Sequence, residues 1–150
     1  MTAAIDFIEM RIIEAVKKLL CEAANEILEK TQLIIPKIEF GDYSGQTTIV
    51  PTISLATCER TEKERILRID AYTLTISFEM PETHDTVYLC YAYAFAICKA
   101  INENPSLDGI ADRAVFVGKN YQFPKKRNCG DNWSLVTKLR ITVAGENNAG

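Results

Sequence analysis

The sequence predicts an α+β fold, a two-layer sandwich of order α-β-β-α-β-β whose antiparallel sheet carries two helices on one face. Three observations predict it. Apolar residues recur at three- and four-residue steps near the N-terminus and again in the middle of the chain. Residues 72–80 and 133–143 alternate apolar and polar side chains, the period of a half-buried strand. Turn-forming residues separate these stretches. At 150 residues, with 47% hydrophobic and 25% charged side chains, the chain suits one domain with its own core. That domain is expected over 1–144, with 145–150 as a disordered tail.

Residues 3–30 read as a single amphipathic helix. Ile5, Ile8, Ile12, Val16, Leu19, Ala23 and Ile27 form its stripe, widened by Ala15, Leu20, Ala24 and Leu28, with Glu and Lys side chains opposite. A long irregular connection, Thr31 to Pro51, follows. Two prolines and the turn cluster 41–45 interrupt it, and Lys37 to Phe40 is a candidate short edge strand. Connections of this length inside a compact domain are functional or poorly ordered.

A β-hairpin comes next. Ile53, Leu55 and Thr57 alternate in its first strand, Glu59 to Arg65 read as a charged turn, and the second strand runs from Ile66 to about Met80. Tyr72, Leu74, Ile76, Phe78 and Met80 share one face of that strand, whereas Leu67 and Ile69 lie on the other parity. Such a switch calls for a bulge near Asp70–Ala71 or a change in the buried face. The far half of the hairpin is therefore expected to reach beyond its own sheet.

The second helix is expected from Thr83 or Asp85 to about Asn104, with Val87, Tyr91, Ala94, Cys98 and Ile101 marking its inner face. Tyr88, Leu89, Ala92, Tyr93, Phe95, Ala96 and Ile97 make it apolar nearly all round, more than one sheet and one helix can cover. The excess points to a neighbouring subunit. Asn104 to Gly109 end the helix. Two strands, Arg113 to Phe123 and Trp133 to Ala144, complete the fold around a basic loop, Pro124 to Asn132.

Little in the sequence points to catalysis. The five cysteines form no C-x-x-C pair, their number is odd, and reduced buried thiols are the expected state. His84, the one histidine, reads as an exposed or capping-zone side chain, and no G-x-S-x-G elbow or glycine-rich phosphate cradle is present. No cofactor, metal site or small-molecule substrate is expected. Seventeen Lys and Arg against twenty Asp and Glu give a net charge of −3, which advertises neither nucleic acid nor an anionic membrane. Charged residues break up the N-terminal apolar run, and the run from Val87 to Cys98 is too short to span a bilayer, so a soluble intracellular protein without membrane contact is expected. Lys125, Lys126 and Arg127, flanked by Tyr121 and Phe123, are the one nucleic-acid-like feature, read first as a loop contact to protein.

Laid out in this order, the chain resembles the tail-terminator (tail-completion) proteins of long-tailed phages and their prophage remnants. The resemblance covers roughly 3–144. It rests on the amphipathic opening helix, the long hairpin, the helix ending in Ile101–Gly109 (INENPSLDG), and a last strand opening at Trp133 and running through Leu139–Val143. It implies a structural virion protein that forms a ring, typically a hexamer, on the end of the tail tube. The ring stops tube polymerisation and meets the head–tail connector protein. Its partners are then its own copies, the tube protein and the connector, with DNA passing through the lumen. Its location is the host cytoplasm during assembly and the virion tail afterwards. Expected subunit contacts are Arg60, Glu62, Lys63, Arg65, Leu67, Ile69, Tyr88, Ala92 and Phe95, together with the Gly41–Thr48 loop. Lys125, Lys126 and Arg127 are expected at an axial face or the lumen. The alternatives are a head–tail neck or head-completion protein and a small nucleic-acid-binding α+β module; a polar-lined cavity would instead indicate an enzyme or a ligand carrier.

Overall fold

The computed structural model describes residues 7–31, 35–40, 48–63, 67–81, 83, 85–122 and 132–144. The class is α+β. The first helical segment consists of α1 (Ile8–Leu19), a π-helical turn (Leu20–Ala24) and α2 (Asn25–Glu29). Its buried apolar residues are Ile8, Ile12, Val16, Leu20, Ala24 and Leu28, an unbroken series of four-residue steps. In a regular α-helix each such step overshoots a full turn by about 40°, so the row would wind away from the core. The wider π-turn takes up that drift and keeps the row facing inward. The stripe expected at Leu19, Ala23 and Ile27 is therefore displaced by one residue, and these three are half-buried.

The same turn brings Asn25 inward, where it is buried. Its side chain holds the connection that follows. Ile38 N–H donates to Asn25 Oδ1 at 2.8 Å, and Asn25 Nδ2 donates to the Ile38 carbonyl at 2.8 Å and to the Cys21 carbonyl at 3.0 Å. Ile38 belongs to β1 (Lys37–Ile38), which pairs in parallel with β2 (Thr48–Ile49). Tyr93 adds a second tie by donating its hydroxyl to the Pro36 carbonyl at 2.6 Å. The candidate strand at Lys37 thus exists, although two residues long.

The main sheet has β3 (Thr52–Lys63), β4 (Leu67–Pro81), β5 (Arg113–Gln122) and β6 (Asn132–Ala144) in the order β3-β4-β6-β5, all antiparallel. Three expectations change here. The charged segment 59–63 is strand, paired residue by residue with 67–71. No bulge interrupts β4 at Asp70–Ala71; the register shifts lie at Ala56 in β3 and Val117 in β5. And β6 accompanies β4 as far as the Ile69–Ala144 pair, so only the Glu62–Arg68 and Lys63–Leu67 pairs of the described hairpin extend past it. Asp70 is what imitates a change of phase. It keeps the parity of Tyr72 and Leu74 and is fully buried, a carboxylate at a core position.

The third helix, α3 (Thr86–Glu103), begins beside a small hydroxyl network. Thr86 Oγ1 accepts from Thr83 N–H at 2.7 Å and donates to the Pro81 carbonyl at 2.8 Å. Cys90, Tyr93, Ala94, Ile97, Ala100 and Ile101 point inward and share one core with the buried residues of α1, α2, β4 and β6. Tyr93 stacks on Phe78 with ring centroids 4.8 Å apart. The turn after α3 places Leu107, Asp108 and Gly109 in succession at φ 48°, 59° and 83°. Only glycine enters that region without steric cost. The opposite face of the sheet carries Ser, Thr and Val side chains with Lys138 and Arg140, and with Glu79 and Glu59 farther along β4 and β3; among the described residues no helix lies over it.

Candidate interaction surface

Helix α3 is too apolar for the space it fills. Its outer side exposes Tyr88 at 62%, Tyr91 at 51% and Phe95 at 54%, three aromatic rings at steps of three and four residues. Rings so spaced line up on one side of a helix. Tyr91 makes an edge-on contact with Tyr121 of β5 at 5.2 Å between centroids, and the Lys99 ammonium stands 6.0 Å from the Phe95 ring centre. Beside Phe95 an open groove runs between α2 and α3, lined by Ile27, Lys30, Lys99 and Glu103. Tyr91, expected on the inner face, lies instead on this outer stripe. Cys90 and Tyr93 take the inner positions because α3 is rotated about one residue from the expected setting.

The expected contact residues divide between two elements. Tyr88 and Phe95 are exposed on α3, and Ala92 between them is half-buried. Arg60 and Ile69 sit on the β3–β4 pair, Ile69 half-buried. Arg60 also serves its own chain, for its Nε and Nη2 donate to the two oxygens of Asp70 at 2.7 and 2.9 Å. Arg60 and Asp70 face each other directly in the register. A bidentate guanidinium is the partner that best matches a buried carboxylate. Glu62, Lys63 and Leu67 are in strand, and their side chains lie outside the described residues, as do Arg65, His84, Lys125, Lys126, Arg127 and almost all of the 41–48 loop.

Cys21 and Cys90 are poor nucleophiles. Burial pushes the Cys90 thiol up to about 11, and burial, helped by Glu39 and Glu22, also raises that of Cys21. A thiol needs a lowered, not a raised, pKa to react readily. Burial likewise raises the Tyr93 hydroxyl. Lys18 is held protonated by its 3.2 Å hydrogen bond to Asp108 and by that carboxylate's charge. Among the described residues no three His, Cys, Asp or Glu side chains come together as metal ligands, and no helix is long and apolar enough to cross a membrane.

Sequence reasoning found Tyr88 and Phe95 from excess apolarity but placed Tyr91 inside. The signal for Tyr91 lay in Cys90 and Tyr93, which with Ile97 continue the spacing of Thr86 along the buried side. No family model matches the sequence, and no curated protein matches it.

Proposed function

We propose that this chain is a structural protein of a phage tail, one that forms a ring capping the tail tube, ends tube polymerisation and joins the tail to the head connector. The observation that carries the reading is the exposed row Tyr88, Tyr91 and Phe95 on α3. Contiguous exposed apolar surface marks an interaction site. A ring requires a heterologous interface, in which one surface of a copy meets a different surface of the next. The α3 row would supply one such surface and β3, an edge strand of the sheet, the other.

Sedimentation at rising protein concentration, combined with negative-stain electron microscopy, tests this reading. The native chain should form rings or discrete oligomers, and Tyr88→Asp with Phe95→Asp should leave monomers of unchanged helix content. A native chain that remains monomeric at every concentration, and whose flanking genes encode no tube, tape-measure or capsid protein, would remove the basis of the proposal.

A further inference from the structure

The structure assigns a second surface: the helix-free face of β5 and β6 binds the phosphodiester backbone of duplex DNA. The basis is a partition of charge. The residues of β5 and β6 include Arg113, Lys119, Lys138 and Arg140 and no Asp or Glu. The remainder of the chain holds thirteen Lys and Arg against twenty Asp and Glu. Among the described residues, Lys17, Lys18, Lys30, Lys37 and Arg60 have ion-pair partners; Arg11 and Lys99, on separate helices, and the four β5–β6 cations do not, and only the β5–β6 cations are gathered on neighbouring strands.

Geometry gathers three of these cations on one side. Lys138 lies between Gly118 and Thr75, and Arg140 between Val115 and Thr73, in adjacent rows of the open face. Two positions apart on a strand, Lys138 and Arg140 are about 7 Å from each other, comparable to successive phosphates along a DNA strand. Arg113 occupies the next row, opposite Thr142. The fourth, Lys119, follows the register shift in β5, stands opposite the buried Thr137 and adds its charge at the sheet edge. All four cations are exposed. An open groove bounded by Val117, Gly118, Lys119 and Lys138 runs beside them, and the hydroxyls of Thr73, Thr75 and Ser77 continue the face with hydrogen-bond donors.

Two features select the occupant. Phe116, Tyr121 and Trp133 stand opposite Leu139, Leu135 and Met80 in the register, which places them on the helix side. The open face thus offers cations without a stacking platform, which suits a duplex backbone and not unstacked bases. The one acidic row, Glu22, Glu26 and Glu29 along Leu20–Glu29, is balanced where Lys30 pairs with Glu26 and Lys37 with Glu29, and α1, α3, β3 and β4 each mix both signs. A second copy of the chain thus offers only Glu22 of that row without an ion pair among the described residues. This inference holds whether or not the chain forms rings.

The test is fluorescence anisotropy with a 30-base-pair duplex over a range of salt concentrations. Three phosphate contacts predict that log K falls against log salt with a slope of about −3. Lys138→Gln with Arg140→Gln should flatten the slope by about 2 and weaken low-salt binding at least tenfold. Lys17→Gln with Lys30→Gln, on the helices, should change it less than twofold. The inference is overturned by native protein without salt-sensitive DNA binding, and equally by binding that survives the double substitution but is lost in Lys125→Gln with Lys126→Gln. Binding of polyglutamate in place of duplex DNA would assign the surface to an acidic protein and overturn it too.

Discussion

The side chain of Asn25 pairs with the backbone of Ile38 as a neighbouring strand would, giving its oxygen to the Ile38 N–H and its amide to the Ile38 carbonyl, each at 2.8 Å. Both residues are buried, so neither backbone group has water as a substitute. Asn25→Leu should therefore lower stability by about 3 kcal/mol, chiefly through two stranded backbone groups. Asn25→Asp keeps an acceptor for the N–H but turns a second oxygen towards the carbonyl. Burial would raise the pKa of that new carboxyl, so the variant's stability should be greatest below about pH 4 and fall as pH rises. Urea midpoints at pH 4 and pH 7 separate the two effects.

Arg60 and Asp70 form the buried counterpart on the sheet. The Asp70 side chain is 1% exposed and the Arg60 side chain 44% exposed, so the carboxylate depends on this contact more than the guanidinium does. Arg60→Ala should cost about 2 kcal/mol, because it removes a bidentate, charge-assisted partner from a buried carboxylate. Arg60→Met combined with Asp70→Leu should recover most of that loss. A double-mutant cycle by denaturant unfolding measures the coupling.

These two residue pairs also show which parts of the fold were legible in the sequence. The alternation in β4 and β6 and the apolar content of α3 were readable because each reports directly which side faces the core. Asp70 broke the alternation, since a core carboxylate looks like a solvent position until its partner ten residues back is known. The mixed charges at 59–63 resembled a turn for the same reason: pairing with 67–71 is a long-range property. Asn25 belongs to neither the apolar stripe nor the charged face of the opening helix, and nothing in the pattern marks it as buried. Only the π-turn before it, which has no sequence signature of its own, rotates it inward. Of the surface on α3, Tyr88 and Phe95 were legible and Tyr91 was not, because its inward or outward setting depends on a rotation of about one residue.

The turn after α3 allows a clean comparison between two glycines. Gly109 has φ +83°, and a Cβ added there would meet nothing within 4 Å. Gly109→Ala should thus cost about 1 kcal/mol from backbone conformation alone. Gly118 also has open space where a Cβ would stand, and its φ lies outside the left-handed region. Gly118→Ala should be neutral or stabilising by up to about 1 kcal/mol, through the reduced freedom of the unfolded chain. Thermal unfolding of the two variants in parallel should show shifts of opposite sign or, at the least, a loss at Gly109 alone.

Cys90 and Tyr93 lie one turn apart on the inner side of α3, and together they predict weakening in alkali. Burial raises the Cys90 thiol from 9.0 to about 11 and raises the Tyr93 hydroxyl from 10.0. Well below pH 9 both groups are protonated in the folded and unfolded chains, and neither makes stability depend on pH. Above it the unfolded chain releases protons that the folded chain retains, so stability falls with rising pH. The Cys90 contribution should be lost progressively between about pH 9 and pH 11, and the Tyr93 contribution from about pH 10 upward. Urea midpoints measured from pH 8 to pH 11 should therefore decline, and Cys90→Ala should flatten the first part of the decline while Tyr93→Phe flattens the later part. Alkylation gives an independent reading. At pH 8 the native Cys90 thiol should react far more slowly than the same thiol in urea, and a rate equal to that of the unfolded chain would refute its protection.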